Sequence, residues 1–121
     1  MSLYVDSSAL LKRYVDEPDS SACEAILHSD PELVSGRHTV VEVRRNLARL
    51  LQGADLAAAK RTLASDLESI SLVELDATTC ETAATIAEVT GARTLDASHL
   101  AAAQRVGGTA LPFVSYDVRQ A

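Results

Sequence analysis

Short apolar runs alternate with stretches of helical period along the 121 residues. Leu3-Tyr4-Val5 is the first run, bulky and too short for a helix, and it predicts a buried strand. Ser7 and Ser8 stand where a helix would be capped, and Leu10, Leu11 and Tyr14 follow at helical spacing. Glu17-Pro18-Asp19 breaks that segment. Ser21-x-x-Glu24 has capping-box spacing and opens a helix carrying Cys23, Ile26 and Leu27 on one face. Residues 32–35, after the turn at Asp30-Pro31, predict a second strand, punctuated by Gly36. The clearest helix covers residues 39–52: Val40, Val43, Leu47, Leu50 and Leu51 form one stripe, and Gly53 ends it. A second long helix over 56–69, with Leu56, Ala59, Leu63, Leu67 and Ile70 in register, makes an antiparallel hairpin with it. Residues 71–75 read as a third strand. Thr78-x-x-Glu81 caps an Ala-rich helix that stops at Gly91, residues 96–105 form another before Gly107-Gly108, and 112–115 are the last strand.

The resulting order, β-α-α-β-α-α-β-α-α-β, predicts an α/β fold. Short apolar strands separated by helices form a parallel sheet covered on its faces. The expected architecture is a three-layer α/β/α sandwich around a central sheet of four or five parallel strands, in one domain over residues 1–121. Hydrophobic residues make up 47% of the chain but aromatics only 3%, so the core is aliphatic and the composition argues against stacking platforms for single strands. Net charge is −6, the wrong sign for holding nucleic acid by charge alone. However, six of the eleven basic residues (Arg37, Arg44, Arg45, Arg49, Lys60 and Arg61) lie within 37–61. Cys23 and Cys80 belong to no C-x-x-C pair and are expected to be ordinary buried thiols. No leader is evident and no apolar run approaches the ~20 residues that span a bilayer, so a cytoplasmic protein with no membrane partner is expected.

Four carboxylates fall where such a sheet would gather them. Asp6 and Asp117 each end a strand-like run, and Glu42 and Asp96 lie in the first turn or so of a helix. Each has a local explanation: Asp6 as a helix cap, Glu42 as the acid of a Thr39-x-x-Glu42 capping box, Asp96 at the positive end of a helix dipole, Asp117 in a turn. Taken together they point elsewhere. Ligands of parallel α/β sheets bind beyond the carboxyl ends of the strands, and right-handed crossovers bring those helix starts to the same edge. Four converging carboxylates repel one another unless a cation sits among them, and oxygen-only donors select Mg²⁺ or Mn²⁺ over Zn²⁺. Such an ion acidifies a bound water for attack on a phosphodiester, and a second ion about 4 Å away would stabilise the leaving oxygen.

These stretches carry a resemblance. VDSSALLKRY, the Glu in VVEVRRNLARL, LDASHLAAA and the terminal VSYD, in that order, resemble the PIN domain and specifically VapC-type toxins of toxin–antitoxin pairs. LDASHLAAA is the most specific piece. The resemblance implies a Mg²⁺- or Mn²⁺-dependent endoribonuclease cutting structured RNA such as tRNA or rRNA. It also implies a small VapB-like antitoxin that blocks the site, and a homodimer. The acidic quartet of the family carries over to Asp6, Glu42, Asp96 and Asp117 as catalytic metal ligands. Hydroxyls at Ser7 and Ser115 match residues that orient the carboxylates or the waters of the ion from behind. Family members continue past the last acid with a further helix; here Ala121 follows Asp117 by four residues, so that helix is expected to be shortened or missing.

Other side chains invite weaker roles. Arg45 and Arg49 share the helical face of Glu42 and are candidates for RNA or antitoxin contact, against an ordinary solvated face. Lys12 and Arg13 are similar candidates, with a surface position the stronger expectation. His99, one turn after Asp96, is expected to pack near the site or hydrogen-bond within it rather than act as a base, and His38 to be exposed. Tyr4 and Phe113 belong to the core. The Ala-rich helices allow close subunit packing. A haloacid-dehalogenase-like phosphatase would need an Asp where Ser8 stands, and a receiver domain would need acids clustered at the first strand and a late Lys. The standing alternative is a catalytically inactive PIN-like protein-interaction module.

Overall fold

The computed structural model describes residues 2–16, 20–28, 32–107 and 113–114. Its elements run β1 (Ser2–Val5), α1 (Ser7–Leu11), α2 (Ser20–His28), β2 (Glu32–Gly36), α3 (Thr39–Leu50), α4 (Gly53–Leu67), β3 (Ser71–Val73), α5 (Ala77–Thr90), α6 (Thr94–Gly107) and β4 (Phe113–Val114). That order is the one the hydrophobic pattern predicts. Four strands form one sheet in the order β3-β2-β1-β4, every pairing parallel. The chain steps from β1 to β2 to β3 in one direction and then returns to β4 on the other side of β1. This reversal puts a topological switch point between β1 and β4, the place where open α/β sheets bind ligands. Asp6 is the first residue past β1.

Alternation within the strands separates two cores. Leu3, Val5 and Leu33 face one side, packed with Ala9, Leu10, Cys23, Val43, Leu47 and Leu63 from α1 to α4. Tyr4 and Val34 face the other side, against Ala102 and Ala103 of α6. Ala83, Ala97 and Ala101 then seat α5 on α6, small side chains that let two helices approach closely. Helices therefore cover both faces of the sheet, and the three-layer expectation holds.

One buried hydroxyl pair holds the strands where they part. Past the last β1–β2 partners, Tyr4 and Val34, the Ser35 hydroxyl donates to the Val5 carbonyl at 2.6 Å. Thr39 Oγ1 lies 2.7 Å from the same Ser35 oxygen. Both side chains are fully buried, so this pair satisfies groups that the diverging ladder would otherwise leave unpaired. It also ties the start of α3 to the end of β1.

Several local expectations are corrected. Asp6, not Ser7 or Ser8, caps α1, accepting from the Ala9 amide at 3.0 Å and the Ser8 hydroxyl at 2.7 Å. Asp76, not Thr78, caps α5 through the Thr79 amide at 2.9 Å. The Thr78/Glu81 match to a capping box concealed an Asp two residues upstream. Gly53 opens α4 at φ 62° instead of closing α3. Helix α6 begins at Thr94, so Asp96 sits inside its first turn. Cys80 is exposed whereas Cys23 is buried as expected. No helix among the described residues is long and apolar enough to cross a membrane. Ser115 and Asp117, and with them the expectation about a shortened C-terminal helix, lie outside the described residues.

Leu47 is fully buried where α3 meets the core of the first face. Leu47→Ala should lower unfolding free energy by about 2–5 kcal/mol, read as a lower urea midpoint with an unchanged slope.

Candidate functional site

Asp6 is 1% exposed at the carboxyl end of the sheet. Its capping bonds both fall on Oδ1, so the cap does not use Oδ2. The local explanation for Asp6 is therefore correct, and it is also compatible with a second role. The capping-box explanation for Glu42 fails. His38 is the N-cap residue of α3 and makes no side-chain cap bond, while the Thr39 hydroxyl is turned to Ser35.

Glu42 is instead gripped from two other elements. The Ser7 hydroxyl donates to Oε2 at 3.1 Å, and His99 Nε2 lies 2.7 Å from Oε1. Burial pushes the Glu42 carboxyl up, but the His99 hydrogen bond, the neighbouring imidazoles and the Ser7 bond outweigh it and hold the group below the usual carboxylate range. An ionised carboxylate only accepts, so Nε2 of His99 carries the proton. The other nitrogen of that ring meets the Tyr4 hydroxyl at 2.9 Å. Burial raises the Tyr4 hydroxyl well above its ordinary value, as do the charges of Asp6 and Glu42, while the Gly36 N–H bond works the other way. Tyr4 thus stays protonated as a donor to His99 Nδ1. Side chains remote in sequence (Tyr4, Ser7, Glu42 and His99) form one polarised chain. The expectation that His99 hydrogen-bonds within the site is met: it is 1% exposed.

His38 overturns its expectation. Its side chain is only 9% exposed and its ring lies 4.1 Å, centroid to centroid, from that of His99. Gly36 makes room for it, since a Cβ there would collide with Cε1 and Nδ1 of the ring. Neither ring nitrogen has a hydrogen-bond partner, an arrangement costing about 1–3 kcal/mol per buried group. Burial, then the neighbouring His99, lowers the His38 pKa to about 4, so the His38 imidazole is neutral near pH 7. The sequence signal that would have revealed this is Gly36, two residues before His38 at the end of a buried strand.

Asp96 is 8% exposed and one helical turn before His99. Asp6, Glu42 and Asp96 carry oxygen donors of the kind a hard divalent cation takes, but among the described residues these three do not form a group with ligand atoms within 4.8 Å of one another. That donor chemistry fits Mg²⁺ or Mn²⁺. The group of three His, Cys, Asp or Glu residues whose ligand atoms lie within 4.8 Å of one another among the described residues is a different one: His38, Glu42 and His99.

The basic candidates divide. Arg13 is committed to Glu24 at 3.3 Å and Asp66 at 3.8 Å, and the Tyr14 hydroxyl donates to the same Asp66 at 2.7 Å. Lys12, expected at the surface, is buried. Arg49 donates to Asn46 at 3.1 Å on the exposed side of α3. Arg45 is exposed and lines a groove with Arg44 and Lys60 over Val40, Val41 and Leu56. Val41 is 70% exposed there.

Comparison with known proteins gives one consistent picture. The model of the PIN domain family matches residues 3–121. Ribonuclease VapC46 of Mycobacterium tuberculosis is 35% identical over 118 residues, covering 98% of this chain and 86% of the relative. Ribonuclease VapC45 of the same species is 33% identical over 122 residues, covering 97% and 85%. Among solved structures, Mycobacterium tuberculosis VapC20, described as a sarcin-ricin loop cleaving toxin, superimposes with a TM-score of 0.73 at 17% identity. The match covers 87% of this chain and 83% of that one.

The buried His38 has a consequence for stability. In the unfolded chain it protonates near its ordinary 6.5, in the fold only near about 4. Between these values the unfolded state binds more protons, so stability rises with pH. The contribution is complete above 6.5 and is lost as pH falls toward 4. With chelator present, unfolding free energy should drop by up to about 3 kcal/mol across that window. In His38→Gln the part of the slope due to this residue should vanish, as measured by urea unfolding at pH 7 and pH 5.

Proposed function

Since this chain belongs to the PIN domain family, on its VapC-type branch, we propose that it is a toxin-type endoribonuclease that hydrolyses structured RNA with Mg²⁺ or Mn²⁺ at Asp6, Glu42 and Asp96. The observation that carries the reading is Glu42, ionised and with both oxygens fixed by Ser7 and His99, on the same edge of the sheet as Asp6. Asp117, with Ser115 two residues before it, completes the proposed ligand set from the resemblance of the terminal VSYD. A divalent ion held by these acids would supply Lewis-acid polarisation of a phosphodiester and an acidified water.

The residues of the chain then do three things. Asp6 is anchored through Oδ1 by the Ala9 amide and the Ser8 hydroxyl at the start of α1, which orients its other oxygen. Ser7 and His99 prevent Glu42 from rotating and keep it charged. Tyr4 fixes the imidazole of His99 from behind. Positioning by preformed bonds means that little reorganisation remains when substrate arrives.

Partners follow from the surface. With a net charge of −6, RNA must be met locally, and the exposed basic side of α3 with Arg45 and Arg49 is the proposed approach. The groove of Arg44, Arg45 and Lys60 over exposed Val41 suits an acidic amphipathic segment, so it is the proposed seat of a VapB-like antitoxin. A homodimer and a cytoplasmic location are part of the same proposal. Structured RNA such as tRNA or rRNA is the proposed substrate class.

The test is cleavage of total cellular RNA by the purified chain with and without Mn²⁺ or Mg²⁺, followed by mapping of new 5′ ends. Cleavage should require the ion. Asp6→Asn and Asp96→Asn should lower it about 10²–10³-fold, and Ser7→Ala about tenfold. Cutting that is indifferent to both Asp substitutions would refute the acidic metal site, and no ion-dependent cutting at all would refute the nuclease and favour the inactive interaction module.

A further inference from the structure

We propose a second metal site: His38 Nε2, His99 Nε2 and Glu42 Oε1 form a seat for a borderline transition-metal cation of the Zn²⁺ or Co²⁺ class, distinct from the oxygen-donor site of the acids. When filled, it withdraws Glu42 from those acids. The first statement stands on geometry alone, and the second rests on the nuclease reading.

Three observations lead here. The ligand atoms of the trio lie within 4.8 Å of one another. His99 Nε2 is 2.7 Å and His38 Nε2 is 3.8 Å from the same carboxylate oxygen. These values bracket the separation of about 3.3 Å between neighbouring donors on a tetrahedral ion with bonds of 2.0–2.1 Å. The second observation is His38 itself. Its side chain is more than nine-tenths buried and neither ring nitrogen has a hydrogen-bond partner. A buried polar group in that condition calls for a specific reason. Gly36 admits the Nδ1–Cε1 edge of the ring, and Nε2 faces Glu42.

The third observation is the support behind His99. Metal-bound imidazoles are oriented by a partner on their second nitrogen, and Tyr4 occupies that position at 2.9 Å, with its own ring edge-on to the imidazole. Binding requires Nε2 of His99 to give up its proton. The ring can take the other neutral tautomer, with Nδ1–H donating to the Tyr4 oxygen, so the proton moves from one nitrogen to the other and no charged group is created. Two imidazoles and one carboxylate select Zn²⁺ or Co²⁺, whereas Mg²⁺ prefers oxygen. The ion would replace the His99–Glu42 hydrogen bond and hold Oε1.

The experiment titrates Co²⁺ alone into the full chain, read by visible absorption, in the unmodified protein and in His38→Gln and Asp96→Asn. One equivalent should bind, survive a large excess of Mg²⁺, persist in Asp96→Asn and weaken at least about tenfold in His38→Gln. Binding that persists in His38→Gln but is lost in Asp96→Asn would overturn the site, as would the absence of any Co²⁺ band. Should His38→Gln unfold, the unmodified chain answers instead: Zn²⁺ must shift the ring resonances of two of its three histidines, and shifts in neither His38 nor His99 overturn the proposal. None of these readouts needs RNA, so failure of the site is separable from failure of the nuclease reading. The linked claim is checked by cleavage in Mg²⁺: added Zn²⁺ should suppress it, and His38→Gln should be less sensitive. Equal sensitivity would remove that claim.

Discussion

A carboxylate removed from water survives as an ion only if donors replace the lost hydration, and Glu42 is the point where this structure meets that demand. Its two oxygens are held by Ser7 of α1 and His99 of α6, elements on opposite faces of the sheet. The bonds reach around the carboxyl edge of the sheet and tie its two helical layers together there. Without the sheet, residues 7, 42 and 99 would have no reason to meet. Without the donors, burial would push Glu42 toward its neutral form. Fold and charge state are therefore one constraint seen from two sides.

The proposed site is organised around that edge. Strand order makes β1 the switch point, and the Ser35–Thr39 pair keeps its end from fraying where β2 departs. Asp6 caps α1 and faces the same region. Tyr4 points to the opposite face from Leu3 and Val5, so the alternation that builds the core also delivers a phenol to His99. An edge built for oxygen donors also holds two imidazoles beside one of them. That adjacency is what the two proposed cation sites share.

Much of this was legible in the sequence. The order of elements followed from hydrophobic period, and the positions of Asp6 just past β1 and of Glu42 and Asp96 in the first turns of α3 and α6 followed from strand ends and helix starts. The histidines did not. His38 precedes a helix, where exposure is the ordinary outcome. The missing Cβ of Gly36 makes room for it, and its ring lies tilted against that of a partner sixty-one residues away (99 minus 38). Long-range pairing of this kind has no local period and leaves no trace in spacing. Cap positions failed for a smaller reason: a motif match at Thr78 and Glu81 competed with Asp76, and the side chain nearest the true start won. Lys12 is buried, which its charge alone would not suggest.

The central claim is that carboxylates distant in the chain gather a hard cation at the end of β1. Anomalous diffraction from crystals grown with Mn²⁺ tests it most directly. The account predicts a peak within coordinating distance of Asp6 and Asp96, with Glu42 bound directly or through water. A peak only between His38 and His99, or none near Asp6, would contradict it.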